Sequence, residues 1–189
     1  MTQATLRVAA DGWVEGVAHV RSPNFDARPP GRTVELLVIH NISLPPGHFG
    51  GGHVHQLFTN ALPADADPFF EQLGALRVSA HFLIERDGRI TQFVGCGARA
   101  WHAGTSSFRG CPRCNDFSLG IELEGTDFAP FTDAQYAALA RLVAALTAAF
   151  PLRHACGHSE IALDRKTDPG PFFDWARVPA LAALRAQSS

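Results

Sequence analysis

The sequence contains no apolar run long enough to form a membrane-spanning segment. Hydrophobic residues make up 46% of the 189 residues, but no stretch approaches the roughly 18 consecutive apolar residues that a transmembrane helix requires. The N-terminal stretch MTQATLRVAADGWVEG also lacks the basic start and the long apolar run of a secretory signal. We therefore expect a cytoplasmic protein that has no membrane partner.

A strong net charge is absent as well. The formal net charge is −2, which excludes a global field that would draw the protein to nucleic acid or to an anionic membrane. The chain has no internal repeat and no low-complexity linker. Because 189 residues match one ordinary domain with a sizeable core, we expect a single domain over residues 1–189.

Cysteine is scarce, and its four copies do not form a complete metal or disulfide framework. Cys111 and Cys114 make a C-x-x-C pair, but a structural zinc ribbon needs a second pair at similar spacing, which the sequence lacks. A thioredoxin-like motif would lie at the start of a helix after a strand, whereas this pair lies in a Gly-, Ser- and Asn-rich stretch. We interpret the two residues as loop thiols.

Several short patterns predict a sheet. Residues 34–39 form a β-branched run typical of a buried strand. Residues 80–85 and 89–94 flank an Asp-Gly pair, which is a strong signal for a hairpin with a two-residue turn. Residues 117–123 alternate between apolar and other side chains, with Glu122 on the less apolar face. This last pattern predicts a half-buried strand that carries an acid on its open face.

Helices are predicted after these strands. Thr132 and Gln135 form a capping-box pattern, apolar residues follow at helical spacing, and Pro151 ends the helix. A shorter helix is predicted over about residues 67–75, and another begins at Pro179.

Residues 43–66 are rich in glycine and proline, and so long a loop inside a compact domain is typical of a functional segment. Together these patterns predict an α/β fold, a single domain with a central mixed β-sheet flanked by helices.

Two regions carry candidate metal ligands. His40 directly follows the strand predicted at residues 34–39, and ligand sites in α/β sheets gather at the carboxyl ends of strands. Residues 157–171 bring His158 and Asp168 together with Lys166 in a short segment that closes with Pro-Gly-Pro. Two histidines and one carboxylate with an open fourth position suit catalytic zinc, and non-haem iron uses the same set.

The residues alone leave simpler interpretations open. A histidine at a strand end can hydrogen-bond the next loop, and the charged segment fits equally well a solvated turn with salt bridges. His53 and His55 could be read as a metal pair, but we interpret them as loop residues because no third ligand is near in sequence.

Six stretches of the sequence resemble motifs of one known superfamily and occur in the same order. They are residues 40–47 (HNISLPPG), 78–84 (VSAHFLI), 101–104 (WHAG), 114–126 (CNDFSLGIELEGT), 131–136 (FTDAQY) and 164–171 (DRKTDPGP). The chain resembles the N-acetylmuramoyl-L-alanine amidase and peptidoglycan-recognition superfamily from about Gly12 to Arg177. Within it, the likeness is to the cytoplasmic enzymes that act on 1,6-anhydro-N-acetylmuramyl-L-alanine peptides.

The resemblance implies a zinc-dependent amidase whose substrate is an anhydromuramyl peptide, acting as a monomer in cell-wall recycling linked to β-lactamase regulation. It implies these roles: zinc ligands His40, His158 and Asp168; general base Glu122; oxyanion-stabilising Lys166; and substrate contacts Asn41, Arg77 and Arg113. Many relatives carry tyrosine before the histidine of the Ser-x-His motif, where this chain has Ala80, so more proton transfer is expected from Glu122.

Three alternatives remain at this stage. A non-catalytic recognition module of the same fold typically lacks a metal ligand, whereas all three candidates are present here. The same chemistry on intact wall peptidoglycan would require export, for which no signal is evident. An iron oxygenase would use the same ligand set, but the accompanying lysine and glutamate suit hydrolysis better.

Overall fold

The computed structural model describes residues 5–188. The first four residues, which form part of the N-terminal stretch judged above, lie outside the described residues, as does Ser189 at the end of the expected domain. Within the described part of the chain, no helix is both long and apolar enough to cross a membrane.

The described residues form short strands and helices, with runs of consecutive strands before α1 and after α2. The strands are β1 (Arg7–Val8), β2 (Val14–Glu15), β3 (Ala18–His19), β4 (Phe25–Ala27), β5 (Leu36–Ile42), β6 (Phe82–Ile84), β7 (Ile90–Gln92), β8 (Ala98–Ala100), β9 (Ser107–Phe108), β10 (Cys111–Pro112), β11 (Ser118–Glu124) and β12 (His154–Gly157). The α-helices are α1 (His53–Phe58), α2 (Pro68–Glu71), α3 (Asp133–Ala149), α4 (His158–Ile161) and α5 (Pro179–Ala186). Two 3₁₀ turns cover Cys114–Asp116 and Trp175–Arg177.

A six-stranded sheet in the order β12-β5-β11-β6-β7-β3 forms the centre of the molecule. The four strands from β12 to β6 run parallel, β7 is antiparallel to β6, and β3 pairs parallel with β7. The helices α3 and α5 pack with the apolar face of this sheet in the largest hydrophobic cluster. The predicted fold class, a mixed sheet flanked by helices, is confirmed.

The helix α3 begins and ends as its sequence predicts. The Thr132 hydroxyl accepts a hydrogen bond from the Gln135 amide at 3.1 Å, and the Gln135 side chain accepts one from the Thr132 amide at 3.0 Å. The Gln135 side-chain nitrogen also donates to the carbonyls of Ile84 and Glu124 at 3.2 and 2.9 Å. The cap therefore also fastens the helix to β6 and β11. The helix predicted at Pro179 is present as α5.

The prediction of a half-buried strand at residues 117–123 was wrong. Every residue of β11 is buried, because β11 lies between two parallel neighbours and both of its faces are covered. Its apolar side chains pack in the cluster that contains α3. On its other face, Gly120 packs against the His102 ring and Glu122 lies beside His40. The small and polar residues of the pattern therefore mark a buried site rather than an exposed face.

The segment between β5 and β6 differs most from its prediction. Residues 43–66 are not all loop, since α1 forms within them, and the helix predicted at residues 67–75 is shortened to α2. Apolar side chains of both helices pack against β6 and its surroundings in a second hydrophobic cluster, which includes Val54, Phe58, Phe70 and Leu83. Tertiary packing thus creates α1 in a sequence whose local signals are those of a loop.

The β6–β7 hairpin is present, but its turn is longer than the two residues predicted. The amide of Glu85 bonds the carbonyl of Arg89 at 2.9 Å, which leaves three residues in the turn. Gly88 adopts a left-handed φ of 83°, as the last position of a three-residue hairpin loop requires.

Candidate metal centre

Parallel strands bring the first candidate residues together. His40 lies inside β5, which continues to Ile42 because it pairs along this length with β11. In that pairing, His40 stands opposite Glu122. On the other side of β5, Gly157 of β12 pairs with Ile39, and His158 follows at the first position of α4.

The lack of a side chain at Gly157 allows Asp168 to approach His158. A Cβ atom on Gly157 would lie 2.7 Å from the Cδ atom of Pro169, so a larger residue would push the following loop away. The Ser159 amide holds that loop by donating to the Asp168 carbonyl at 2.9 Å. Asp168 is thereby placed beside His158, although ten residues separate them in the chain.

Three ligand atoms converge at this point. His40 Nδ1 lies 3.0 Å from both His158 Nδ1 and Asp168 Oδ2, and His158 Nδ1 lies 3.1 Å from Asp168 Oδ2. Tetrahedral zinc with bonds of about 2.0–2.1 Å would hold its ligand atoms about 3.3 Å apart. Within residues 5–188, this is the one group of three or more His, Cys, Asp or Glu side chains whose ligand atoms converge in this way.

The chemistry of the three atoms also fits a divalent cation. His158 Nε2 lies 3.1 Å from the Ala103 carbonyl, which can only accept, so this nitrogen donates and leaves Nδ1 unprotonated in the neutral ring. Burial lowers the pKa of His40 to about 4, which keeps that ring neutral at pH 7. A cation between unprotonated imidazole nitrogens and a carboxylate would replace their mutual repulsion with attraction.

Glu122 borders the same point without being part of the group. Its Oε1 atom lies 3.9 Å from His40 Nδ1, and its buried Oε2 atom has no hydrogen-bond partner among the described residues. Burial raises the pKa of Glu122 well above its ordinary value, Asp168 raises it further, and Lys166 opposes the shift. A buried carboxylate oxygen without a partner is costly, which is typical of a group that acts on a bound molecule.

A cavity of about 230 Å³ opens onto these residues and has two different walls. What we call the polar wall is formed by His40, His102, Glu122, His158, Lys166 and Asp168, and Asn41, Ile42, Ser43 and Ser79 complete the lining. The apolar wall consists of Leu44, Leu57, Phe58, Phe69, Leu73, Leu76, Val78 and Trp101. Sequence reasoning did not assign a role to the apolar wall, although these leucines and phenylalanines stand out in a segment otherwise rich in glycine and proline.

The three expected substrate contacts occupy different surroundings. Asn41 lines the cavity, and its side-chain nitrogen donates to Asp127 Oδ1 at 2.7 Å and to the Pro169 carbonyl at 3.1 Å. Both bonds use the nitrogen, so the side-chain oxygen remains able to accept a hydrogen bond. Arg77 donates to two backbone carbonyls of its own loop. Arg113 pairs with Asp116 at 3.1 Å with its side chain 70% exposed, and neither arginine lines the cavity.

Comparison with known proteins identifies the chain. A sequence profile described as N-acetylmuramoyl-L-alanine amidase matches residues 30–171, a span that contains the three converging ligands and Glu122. The chain therefore belongs to the N-acetylmuramoyl-L-alanine amidase family. This amidase is 55% identical over 174 residues to the 1,6-anhydro-N-acetylmuramyl-L-alanine amidase AmpD of Escherichia coli (strain K12), an alignment that covers 91% of this chain and 95% of that one.

Solved structures agree with the sequence comparison. A crystal structure of a selenomethionine AmpD derivative superposes on this amidase with a TM-score of 0.88 at 54% identity, covering 90% of this chain and 97% of the other. The Escherichia coli amidase AmiD, solved with anhydro-N-acetylmuramic acid-L-Ala-D-γ-Glu-L-Lys, gives a TM-score of 0.58 at 29% identity, with 94% and 66% coverage. The resemblance found in the sequence is confirmed, and it extends to AmpD itself.

Proposed function

We propose that this amidase is zinc-dependent and hydrolyses the amide bond between 1,6-anhydro-N-acetylmuramic acid and L-alanine in cytoplasmic muropeptides. The observation that carries the proposal is the convergence of His40, His158 and Asp168 beside Glu122, whose buried Oε2 atom has no hydrogen-bond partner among residues 5–188. The AmpD relatives are 1,6-anhydro-N-acetylmuramyl-L-alanine amidases, which supports the choice of substrate. So does the anhydromuramyl peptide in the AmiD complex.

The proposed metal ligands are the two histidines and Asp168. Zinc bound there would supply a Lewis acid and lower the pKa of coordinated water to about 7, which is what hydrolysis of an unreactive amide needs at neutral pH. Iron can use the same ligand types, but a neighbouring carboxylate and ammonium favour hydrolysis over oxygen chemistry.

Glu122 is proposed as the general base. Its carboxylate lies beside His40 on the adjacent strand, so it can take a proton from the attacking water and later give it to the leaving amine of L-alanine. The raised pKa of Glu122 suits this exchange, because a base with a pKa nearer the working pH both accepts and returns a proton readily. Because position 80 is alanine, no tyrosine hydroxyl is present there to assist proton transfer.

Lys166 is proposed to stabilise the negative charge that develops on the carbonyl oxygen. It lines the cavity with Glu122 and carries a positive charge, which the other residues of the polar wall do not supply. Asn41 is proposed to contact the sugar through its side-chain oxygen while its nitrogen holds the loop after Asp168. Arg77 and Arg113 remain proposed partners of the stem-peptide carboxylates; Arg77 follows Leu76, which lines the cavity.

The wider setting is also a proposal. We expect a cytoplasmic monomer with no nucleic-acid partner, whose amidase unit spans about residues 12–177 within a domain over residues 1–189. The high identity to AmpD over 91% of the chain supports a role in recycling wall fragments.

The test is to incubate the purified protein with anhydromuramyl-tripeptide, with and without a chelator, and to identify the products by mass. Release of free anhydro-N-acetylmuramic acid in the metal-replete sample alone would support the proposal. Parallel incubations with the non-anhydro muramyl-tripeptide and with intact peptidoglycan would measure the preference for the anhydro sugar. Equal turnover after chelation and dialysis would contradict zinc dependence, and turnover of intact wall alone would contradict the substrate.

A further inference from the structure

His102 lies between the metal centre and the sheet, and the mechanism above gives it no task. Its side chain is buried, and its ring fits against β11 because residue 120 is glycine. A Cβ atom on Gly120 would lie 2.4 Å from the His102 ring. One edge of the His102 ring faces His40 and the other faces Ser118.

The hydrogen bonds of this group have only one consistent direction. The Ser118 hydroxyl donates to the Cys114 carbonyl at 2.7 Å, since a carbonyl cannot donate. Its oxygen therefore accepts from His102 Nε2 at 3.1 Å. A neutral imidazole carries one proton, so the proton on Nε2 leaves Nδ1 of His102 without one. His102 Nδ1 then accepts from His40 Nε2 at 3.0 Å.

This sequence of bonds ends at the metal centre. With its single proton on Nε2, the neutral His40 ring has an unprotonated Nδ1, the atom that lies 3.0 Å from His158 Nδ1 and from Asp168 Oδ2. Ala103, the residue after His102, orients the second histidine in the same way, because its carbonyl accepts a hydrogen bond from His158 Nε2. Asn115 holds this short segment by accepting from the amides of His102 and Ala103 at 3.3 and 2.8 Å.

We propose that His102, oriented by Ser118, is a positioning residue that fixes His40 in the tautomer whose Nδ1 can bind a metal ion. The fixed tautomer depends only on the bonds described, whereas its consequence for zinc rests on the proposed function. Without an acceptor at the place of His102 Nδ1, the His40 proton would partly move to Nδ1, where Asp168 Oδ2 at 3.0 Å can accept it. Partners of ligating histidines typically change metal affinity about 10–100-fold when removed.

Two amide variants distinguish the role of His102 as a hydrogen-bond acceptor for His40 from a role in packing alone. His102→Asn keeps a side-chain carbonyl near the position of Nδ1, where it can accept from His40. His102→Gln carries the same group one carbon further out, near the position of Nε2, where it meets Ser118 instead. Ser118→Ala is a third variant that leaves the His102 ring in place but removes the oxygen that sets its tautomer.

The first readout is the tautomer of His40 in the zinc-free protein, measured at neutral pH by long-range ¹H–¹⁵N NMR. We expect the Nε2-protonated form in the wild type and in His102→Asn, and a mixture in His102→Gln and Ser118→Ala. The second readout is zinc affinity, measured by competition with a chromogenic chelator. We expect a loss of about 10–100-fold for His102→Gln, a smaller loss for Ser118→Ala, and an affinity within a few-fold of the wild type for His102→Asn.

Unchanged tautomer and affinity in His102→Gln would overturn the proposal, as would equal losses in the two amide variants, because packing alone would then explain them. If His102→Gln does not fold, Ser118→Ala decides by the same two readouts. A wild type that binds no zinc yet holds His40 in the Nε2-protonated form would contradict the proposed function while leaving the positioning role supported.

Discussion

The polar wall of the cavity comes from four separate parts of the chain, whereas the apolar wall comes almost entirely from one. His40 and Asp168 are 128 residues apart and meet because β5, which contains His40, and β12, which precedes the segment with Asp168, are neighbours in a parallel sheet. The apolar wall, apart from Trp101, lies within residues 44–78. The sheet thus sets the positions of the proposed reacting groups, and a single irregular segment forms most of the apolar lining of the cavity.

The two walls also differ in how firmly their side chains are held. In the polar wall, both candidate histidine ligands are less than 4% exposed and their outer nitrogens are hydrogen-bonded. In the apolar wall, Phe58 is buried but Leu76 is 42% exposed, and apart from Trp101 the side chains carry no hydrogen-bonding group. Changes in the polar wall should therefore alter metal binding or turnover, and changes in the apolar wall should alter substrate affinity.

Asp168→Ala should have the largest effect. We expect zinc to be lost at micromolar protein concentrations, because two neutral histidines remain where a charged ligand completed the set. Turnover should fall to background, and metal content after gel filtration would measure the cause. Asp164→Asn is the control, since Asp164 is an exposed acid of the same loop with a left-handed φ of 60° that asparagine tolerates. A variant that keeps stoichiometric, tight zinc would remove Asp168 from the ligand set.

Glu122→Gln should separate metal binding from chemistry. We expect it to bind one zinc ion as the wild type does, while kcat falls about 10²–10⁴-fold, because an amide of the same shape cannot take a proton from water. The measurements are metal analysis and turnover of anhydromuramyl-tripeptide on one preparation. Turnover near the wild-type rate would contradict the assignment of Glu122 as the general base.

Lys166→Met should act on kcat more than on KM. The chain has a single lysine, and removal of its ammonium while the aliphatic stem is kept should lower kcat about 10²-fold, as loss of an oxyanion partner does. Lys166→Arg should recover part of this loss because the charge is restored in a different shape. Initial rates over a range of substrate concentrations would show the split, and a change confined to KM would argue for substrate binding only.

Leu76→Ala should have the smallest effect of the four. We expect KM to rise roughly tenfold with kcat and zinc content unchanged, because an apolar contact with the substrate is lost without disturbing the ligands. The exposure of Leu76 means that folding should be little affected. Leu163→Ala is the control, since this leucine is 74% exposed and lies outside the cavity lining. Equal effects of the two variants would break the distinction between the walls.

The sequence predicted the polar wall far better than the apolar one. His40, Glu122 and the segment from His158 to Asp168 lie in short motifs, so their residue types and order identify them. The capping box at Thr132 and Gln135 likewise identified α3 from local signals alone. Such features depend on a few neighbouring residues, which a single sequence contains.

Features that depend on contacts between distant residues could not be predicted in the same way. The helix α1 has only six residues and begins at His53 after Gly52, which provides no side-chain cap. It exists because Val54 and Phe58 pack in the second cluster. The burial of Glu122 follows from the central place of β11 in the sheet. The role of His102 depends on Gly120 and Ser118, which are ordinary strand residues until the fold brings a ring against them.

The central claim is that the three converging atoms hold zinc, and anomalous diffraction at the zinc absorption edge tests it most directly. Crystals grown with one equivalent of zinc should show one strong peak within about 2.0–2.3 Å of His40 Nδ1, His158 Nδ1 and Asp168 Oδ2. A map with no peak at this position, or with its main peak elsewhere, such as at His53 and His55, would contradict the account.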